Sequence, residues 1–304
     1  MKLIVFILFF LFWTFPVLAQ PYVNIIQLGY SLQPGYGLQD FSQKTYFRES
    51  NLELNVPLLL KNEDVILLNL SGREVQIEKV EASNLRTSEA FPEAPYQTLT
   101  GRLGYRKQWS EKLSSTVLLQ YRRSGSLPLG VSNATQWGGI GIMETQKSER
   151  LSLRFGAYFN QEFFGPLLVP LIGFDFQLSD KWYAFANLPI TGTVYHILNQ
   201  KVHLGLTYVG VISSFRLSPN TSNDYLHYSS TDVTLYGDVY LSHQIVLQGR
   251  FGRAVGRYYR QYATDHKVDL MLSAFRFGDD RNQLNLEVED GWIAELRLIF
   301  RVWK

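Results

Sequence analysis

The sequence predicts an all-β chain that folds as a transmembrane antiparallel β-barrel, and three observations support this prediction. Apolar and polar residues alternate along many segments, short turns alternate with long connections, and an export leader comes first. Residues 148–160 (SERLSLRFGAYFN) illustrate the alternation, with Leu151 and Leu153 on one face and Arg150 and Arg154 on the other. Successive side chains of a strand point to opposite faces, so the two faces meet different environments. In a membrane barrel the apolar face meets lipid and the polar face lines the lumen.

The first predicted element is a secretory signal peptide over residues 1–19. Lys2 precedes an apolar run over 3–15, and the small-residue pattern at 17–19 is typical of a cleavage site. The run is short for a membrane span, and an uncleaved anchor helix is the alternative. The sequence therefore predicts export, with residues 20–304 as one outer-membrane barrel domain.

The composition of the chain excludes several classes of function. Hydrophobic residues make up 46% of the 304 residues and aromatic residues 14%, which favours strands. The formal net charge of +2 does not indicate a nucleic-acid partner. The sequence contains 0 cysteines, which excludes disulfides, lipid attachment at a leader cysteine and thiolate metal sites. No metal site or cofactor is predicted.

The connections between the alternating segments fall into two classes. Six short polar turns lie at 62–64, 110–112, 147–149, 179–181, 199–201 and 242–244. Longer connections separate these hairpins, at 33–50, 72–95, 124–134, 218–230 and 253–267. Membrane barrels have short periplasmic turns and longer external loops. The alternative is a secreted soluble sandwich or barrel, in which short and long connections are not expected to alternate.

The predicted barrel has about twelve strands, with fourteen as the alternative. The pair of strands within 182–198 is short, and Pro189 and Gly192 interrupt it. The last strand, at 291–303, places Phe300 and Trp303 near the C-terminus. A terminal strand of this kind predicts closure against the first strand and recognition by the barrel-assembly machinery.

Three segments resemble an uncharacterised family of outer-membrane β-barrels that is common in Bacteroidota and carries a domain-of-unknown-function label. They are LNVPLLLKNEDVILLNLSG (54–72), SDKWYAFANLP (179–189) and SAFRFGDDRNQLNLEVEDGWIAELRLIFRV (273–302). The resemblance covers most of the mature chain loosely and the last thirty residues best. It implies a fold and a location, and it implies no catalytic residues or substrate.

Two patterns raise the possibility of chemistry at the membrane surface. His227 and Ser229 are two residues apart on the predicted lipid face, the spacing of a base and a nucleophile in outer-membrane lipid esterases. A third member is missing, because Asp224, Asp232 and Asp238 lie on the opposite face of an unbroken strand, so an enzyme is only the alternative. The acidic clusters at 279–282 and 287–290 suit calcium or, more simply, solvated loops.

The segment 253–267, which is predicted to be an external loop, contains several arginines and tyrosines close together. Guanidinium groups bind anions bidentately and aromatic rings stack on sugars or cations. This pattern predicts a site for lipopolysaccharide or an anionic substrate, and an aromatic collar at the membrane interface is the simpler alternative. The candidate residues are Arg257, Tyr258, Tyr259 and Arg260.

The polar faces of the strands predict the lining of the lumen. The predicted lining residues are Arg102, Arg106, Arg154, Asp232, Asp238, Arg250, Glu295, Arg297 and Arg301. Their excess of arginine favours anions if the lumen is open. The sequence therefore predicts a narrow pore for small solutes in the bacterial outer membrane, in contact with outer-membrane lipid and lipopolysaccharide. The alternative is a plugged barrel with a structural or adhesive role carried by its external loops.

Overall fold

A computed structural model describes residues 22–36, 44–80, 95–126, 133–218, 224–285 and 290–303. The predicted signal peptide lies outside the described residues. The strands are β1 Tyr22–Tyr36, β2 Lys44–Leu59, β3 Val65–Val80, β4 Tyr96–Ser110, β5 Leu113–Ser126, β6 Thr135–Ser148, β7 Leu151–Glu162, β8 Gly165–Gln177, β9 Trp182–Leu188, β10 Thr191–Asn199, β11 Val202–Arg216, β12 Tyr225–Tyr240, β13 Ile245–Tyr262, β14 Leu270–Leu272, β15 Phe275–Phe277 and β16 Trp292–Trp303. Within these residues, no helix is both long and apolar enough to cross a membrane.

Fourteen of the strands close into one antiparallel barrel. Strands β1 to β13 pair in chain order, and β16 lies between β13 and β1. The last strand therefore pairs with the first, with Tyr22 opposite Trp303, as the sequence predicts. The expected number of twelve strands is wrong and the alternative of fourteen is confirmed. Pro189 interrupts no strand, because it lies in the tight turn between β9 and β10.

The connections are sorted between the two ends of the barrel, although less completely than predicted. All six predicted short turns lie at one end, which we name the short-turn end. At the opposite, long-loop end, residues 163–164 and 189–190 are also tight turns. Much of the predicted loop sequence belongs to strands instead: residues 44–50, 72–80, 225–230 and 253–262. Strands that extend beyond the lipid have water on their outer face, so their sequences lose the alternation by which strands are predicted.

The barrel is apolar outside and polar inside, as the alternation predicts. On β5 the Leu119 side chain is 69% exposed, whereas the next residue, Gln120, is 1% exposed. On β12 Leu235 is 65% exposed and Asp238 is 1% exposed. An apolar surface of this extent is stable only against lipid, and the closed ladder of strands satisfies the backbone there. The chain therefore spans a membrane as a β-barrel.

A hydrogen-bonded carboxylate fixes the turn between β2 and β3. The Asp64 carboxylate accepts hydrogen bonds from the Tyr105 hydroxyl and from the Gln108 backbone N–H, the latter at 2.9 Å. These bonds favour the charged form, and the one from Tyr105 has the larger effect in lowering the pKa of Asp64. The turn is thus held by a group that titrates in acid.

We expect Asp64→Asn to weaken the dependence of stability on acid pH. A carboxyl whose pKa is lower in the folded state stabilises the fold above its unfolded pKa, and this stabilisation is lost as the pH falls through the folded pKa. Between neutral pH and about pH 3 the wild type should therefore lose more stability than the variant. Denaturant unfolding in detergent micelles at both pH values measures this, and equal losses would contradict it.

The barrel interior as the candidate functional site

The interior brings most of the predicted lining residues together in ion pairs, whereas Asp232 accepts a hydrogen bond from Ser230. In the first network Glu295 accepts from Arg250 at 3.0 Å and from Arg297 at 2.7 Å. Asn51 donates to the same carboxylate at 3.3 Å. Strands β13, β16 and β2 supply these residues, and β1 lies between β16 and β2. Their side chains meet because they share the inward face. Two guanidinium groups thus share one carboxylate.

A second group of predicted lining residues lies on β4 and β7. Arg154 forms a bidentate pair with Asp175 at 2.7 and 3.2 Å. Arg106 lies 3.7 Å from Glu144. Arg102 donates instead to the amide oxygens of two inward residues, Gln120 at 2.8 Å and Asn69 at 2.7 Å. Fixed amide and carboxylate partners therefore orient these arginines along the wall.

The pair of Arg301 and Asp238 lies near the short-turn end. Their atoms are 2.8 Å apart, and both side chains are only 2% exposed. Arg301 also donates to the Tyr240 hydroxyl at 2.6 Å and lies 3.8 Å from the centre of the Tyr22 ring. An aromatic cluster surrounds the pair and contains Tyr22, Tyr195 and Tyr236, with Tyr183, Phe185, Ile197 and Trp303 packed against it. This end of the interior is thus narrowed by side chains.

Four inward carboxylates that form ion pairs were not among the predicted lining residues: Glu49, Glu144, Glu162 and Asp175. Each one pairs with an arginine, and the contacts of Glu49 with Arg73 are both 2.8 Å. Glu162 shares the parity of Arg154 along β7, so the sequence did carry a signal for it. Glu144 and Asp175 pair with predicted arginines, whereas Glu49 and Glu162 pair with Arg73 and Arg122, which were also not predicted. Most inward arginines thus have a carboxylate partner, which reduces the basis for a strong preference for anions.

At the long-loop end, β11 stays paired with β12 to its last residue, and this end of β11 contacts β5. The last residue of β11, Arg216, pairs in parallel with Gly125 of β5, on the far side of the barrel. Phe215 of β11 packs on Tyr96 of β4, with ring centroids 5.4 Å apart. These rings belong to a buried cluster that also contains Phe47, Val75, Leu217, Leu226, Tyr228 and Tyr259. The cluster closes much of this end.

A polar network lies beside that cluster. Arg122 donates to Glu162 at 2.8 Å, and both side chains are buried. Ser214 of β11 donates to the same carboxylate at 2.7 Å, and Gln136 donates to it at 3.0 Å. This end of β11 is therefore held to β5, β6 and β7 by hydrogen bonds as well as by apolar contacts.

The prediction of an external loop is wrong for four residues, because they belong to β13: Arg257, Tyr258, Tyr259 and Arg260. Arg257 and Tyr259 are buried, and Arg257 donates to Gln33 of β1 at 3.0 Å. Tyr258 and Arg260 lie on the other face, where the Arg260 guanidinium lies over the Tyr258 ring at 4.6 Å. The four residues thus form no common site for an anion.

Contrary to the prediction, His227 does not face lipid. It is fully buried, stacked on Phe164 at 4.2 Å, and the Tyr258 ring lies 5.2 Å away. The turn between β7 and β8 supplies Phe164 and covers the outer face of β12 at this height. Acyl chains in the membrane therefore have no access to this histidine, which removes the geometric basis for a lipid esterase at His227 and Ser229.

Neither acidic cluster forms a metal site in the part of the chain that the structure describes. Asp279 binds Arg281 through both carboxylate oxygens, at 2.7 and 3.0 Å. This bond lowers the pKa of Asp279. The second predicted cluster lies mostly outside the described residues. In the described ranges, no group of three or more acidic or histidine side chains is arranged to hold a metal ion.

The fold is similar to several solved outer-membrane proteins. An outer-membrane channel from Pseudomonas putida F1 is 13% identical over 95% of this chain and 97% of that chain, with a TM-score of 0.47. The NanC porin is 9% identical over 90% of this chain and 100% of that chain, with a TM-score of 0.35. No family model and no curated protein matches the sequence. The resemblance to the Bacteroidota family therefore stays a prediction.

Proposed function

We propose that this chain is an outer-membrane barrel through which small solutes pass. The observation that carries the proposal is the charged interior between the two apolar clusters, which contains ion pairs from Arg301 near one end to Arg122 near the other. Ion pairs inside a closed wall keep the lumen wettable without a strong field of one sign. Membrane barrels expose their long loops to the exterior, so the long-loop end is assigned to the cell surface.

A plugged barrel that acts through its surface loops is the second candidate. The contact of β11 with β5 favours it, because Phe215 and its cluster occupy the long-loop end of the interior. A pore with this structure must conduct through a narrow path beside the cluster or open by movement of β11. The two candidates therefore differ in what happens when the cluster is weakened.

We expect purified mature protein in a planar bilayer to give small discrete conductance steps with little preference between chloride and potassium. The preference should be small because inward carboxylates offset the arginines. Phe215→Ser removes the ring that packs on Tyr96 and should give larger or longer openings. Leu206→Ser, on the lipid face of the same strand, is the matched control and should conduct like the wild type.

The folded state of each protein is checked by heat-modifiable gel mobility. If folded wild type and folded Phe215→Ser both conduct nothing, the proposal of a pore is wrong and the plugged barrel stands. A strong preference for chloride would show instead that the ion pairs do not neutralise the arginines.

A further inference from the structure

The barrel wall is shorter at the hairpin of β9 and β10 than at the neighbouring strands. Strands β9 and β10 have 7 and 9 residues, whereas their neighbours β8 and β11 have 13 and 15. Pairing of β8 with β9 ends at Ile172 opposite Leu188, and pairing of β10 with β11 ends at Thr191 opposite Val209. A strand needs ~9–11 residues to cross a membrane, so β9 is too short and β10 is at the lower limit of that range. We therefore place the end of this hairpin within the membrane.

The residues at the end of this hairpin lie on the outer, apolar face of the wall. Ile172 and Leu188 form the last pair between β8 and β9, and their side chains are 61% and 45% exposed on the lipid side. The turn that follows lies at the long-loop end, so the missing wall faces the outer leaflet. Above it, the described residues of β8 and β11 have no partner from β9 or β10.

Side chains rather than backbone hydrogen bonds close most of this gap. Strand β14 pairs with the edge of β8 only at Leu167 and Leu168. Below that, Val169 and Leu171 of β8 belong to an apolar cluster against which Ile190 and Ile212 pack. We name these four residues the seam. Pro170 lies between Val169 and Leu171. Because proline has no backbone N–H, this residue leaves no unpaired donor at an open strand edge.

The interior behind the seam differs from the rest of the lumen. Tyr158 of β7 points inward and belongs to the same apolar cluster, and the inward residues Ile140 and Ile142 of β6 pack against it. On the neighbouring strands β4 and β5 the inward residues include charged and amide side chains, such as Arg102 and Gln120. An apolar inner patch thus meets an apolar break in the wall at the depth of the acyl chains.

We propose that the seam is a lateral portal through which uncharged, apolar small molecules pass between the barrel interior and the outer leaflet. The proposal rests on the proposed transport function and names the substrate class and the route. Parting of the seam breaks dispersion contacts but no ladder of hydrogen bonds, and an apolar ligand replaces those contacts. A charged solute gains no partner there and is excluded by desolvation.

The absence of native cysteine makes a covalent test specific. The variant Leu171→Cys/Ile212→Cys is treated with a bifunctional maleimide, which ties β8 to β11 across the seam. Uptake of the apolar dye N-phenyl-1-naphthylamine is measured in cells that have a lipopolysaccharide outer leaflet and express the full chain. We expect the linked portal to take up the dye several-fold more slowly than the same variant without the linker.

The matched control is Leu206→Cys/Leu235→Cys, a pair on the lipid face of the adjacent bonded strands β11 and β12, whose linkage should leave uptake unchanged. If the first variant does not fold, Ile190→Cys with a bulky single maleimide replaces it. Dye uptake that is unaffected by linkage overturns the portal. Bilayer conductance of the linked protein separates the two proposals. If the protein conducts and linkage leaves dye uptake unaffected, the pore is supported and the portal is rejected. If the protein does not conduct but linkage slows dye uptake, the portal is supported and the pore is rejected.

Discussion

Replacing Arg301 with methionine is expected to lower the free energy of unfolding by about 3–5 kcal/mol, the cost of leaving one member of a buried ion pair without its partner. Arg301 and Asp238 are each 2% exposed and 2.8 Å apart. In the variant, Gln248 still donates to the Asp238 carboxylate at 2.7 Å, but the compensating charge is gone. Equilibrium unfolding by guanidinium in detergent micelles, followed by tryptophan fluorescence, measures the loss.

Two further variants show whether the charge itself is responsible. Adding Asp238→Asn to Arg301→Met replaces the carboxylate that has lost its cationic partner. The double variant should regain part of the stability, because a neutral amide costs less to bury. Arg297→Met is the matched control, since Arg297 is 20% exposed and Arg250 still binds its partner Glu295. Equal losses for Arg301→Met and Arg297→Met would mean that water reaches the short-turn end of the interior.

The inside and outside of this barrel were predictable because alternation is a local property. Along β5, Leu119 and Gln120 are neighbours in sequence and differ in exposure from 69% to 1%. No knowledge of the partner strands is needed to separate them, because the direction of each side chain follows from its position along the strand. The same reasoning placed Arg154 and Arg301 on the inner face.

The same parity fails where a strand carries an irregularity. On β13, Val255 is 48% exposed whereas Arg257, two residues later, is 3% exposed. Gly256 has a φ of +61°, and the register of β12 and β13 shifts beside it, between Ser229 and Thr231. An extra residue at a bulge reverses the faces that follow, so counting by twos from Arg253 does not predict the inward position of Arg257.

The closure of the long-loop end was also outside the reach of the sequence. Arg122 and Glu162 are forty positions apart, and their pairing depends on the order of β5, β6 and β7 in the barrel. Ser214 joins them only because the end of β11 contacts β5, beside a hairpin that is too short to pair with it there. Long-range contacts of this kind depend on the lengths of the strands. The lengths of β9 and β10 were the ones that the apolar and polar alternation predicted least well.

Replacing Leu119 with arginine is expected to cost ~2–4 kcal/mol of folding free energy, because it places a charge on the lipid face near the middle of the membrane. Ser115→Arg is the matched control: it lies on the same face of β5, closer to the short-turn end, where the cost falls to ~0–1 kcal/mol. Unfolding in lipid vesicles, read by gel mobility and fluorescence, compares the two. The membrane assignment requires this difference with depth, since on a water-exposed surface both substitutions would be almost neutral. Equal stability of Leu119→Arg and Ser115→Arg would therefore contradict the orientation of every strand.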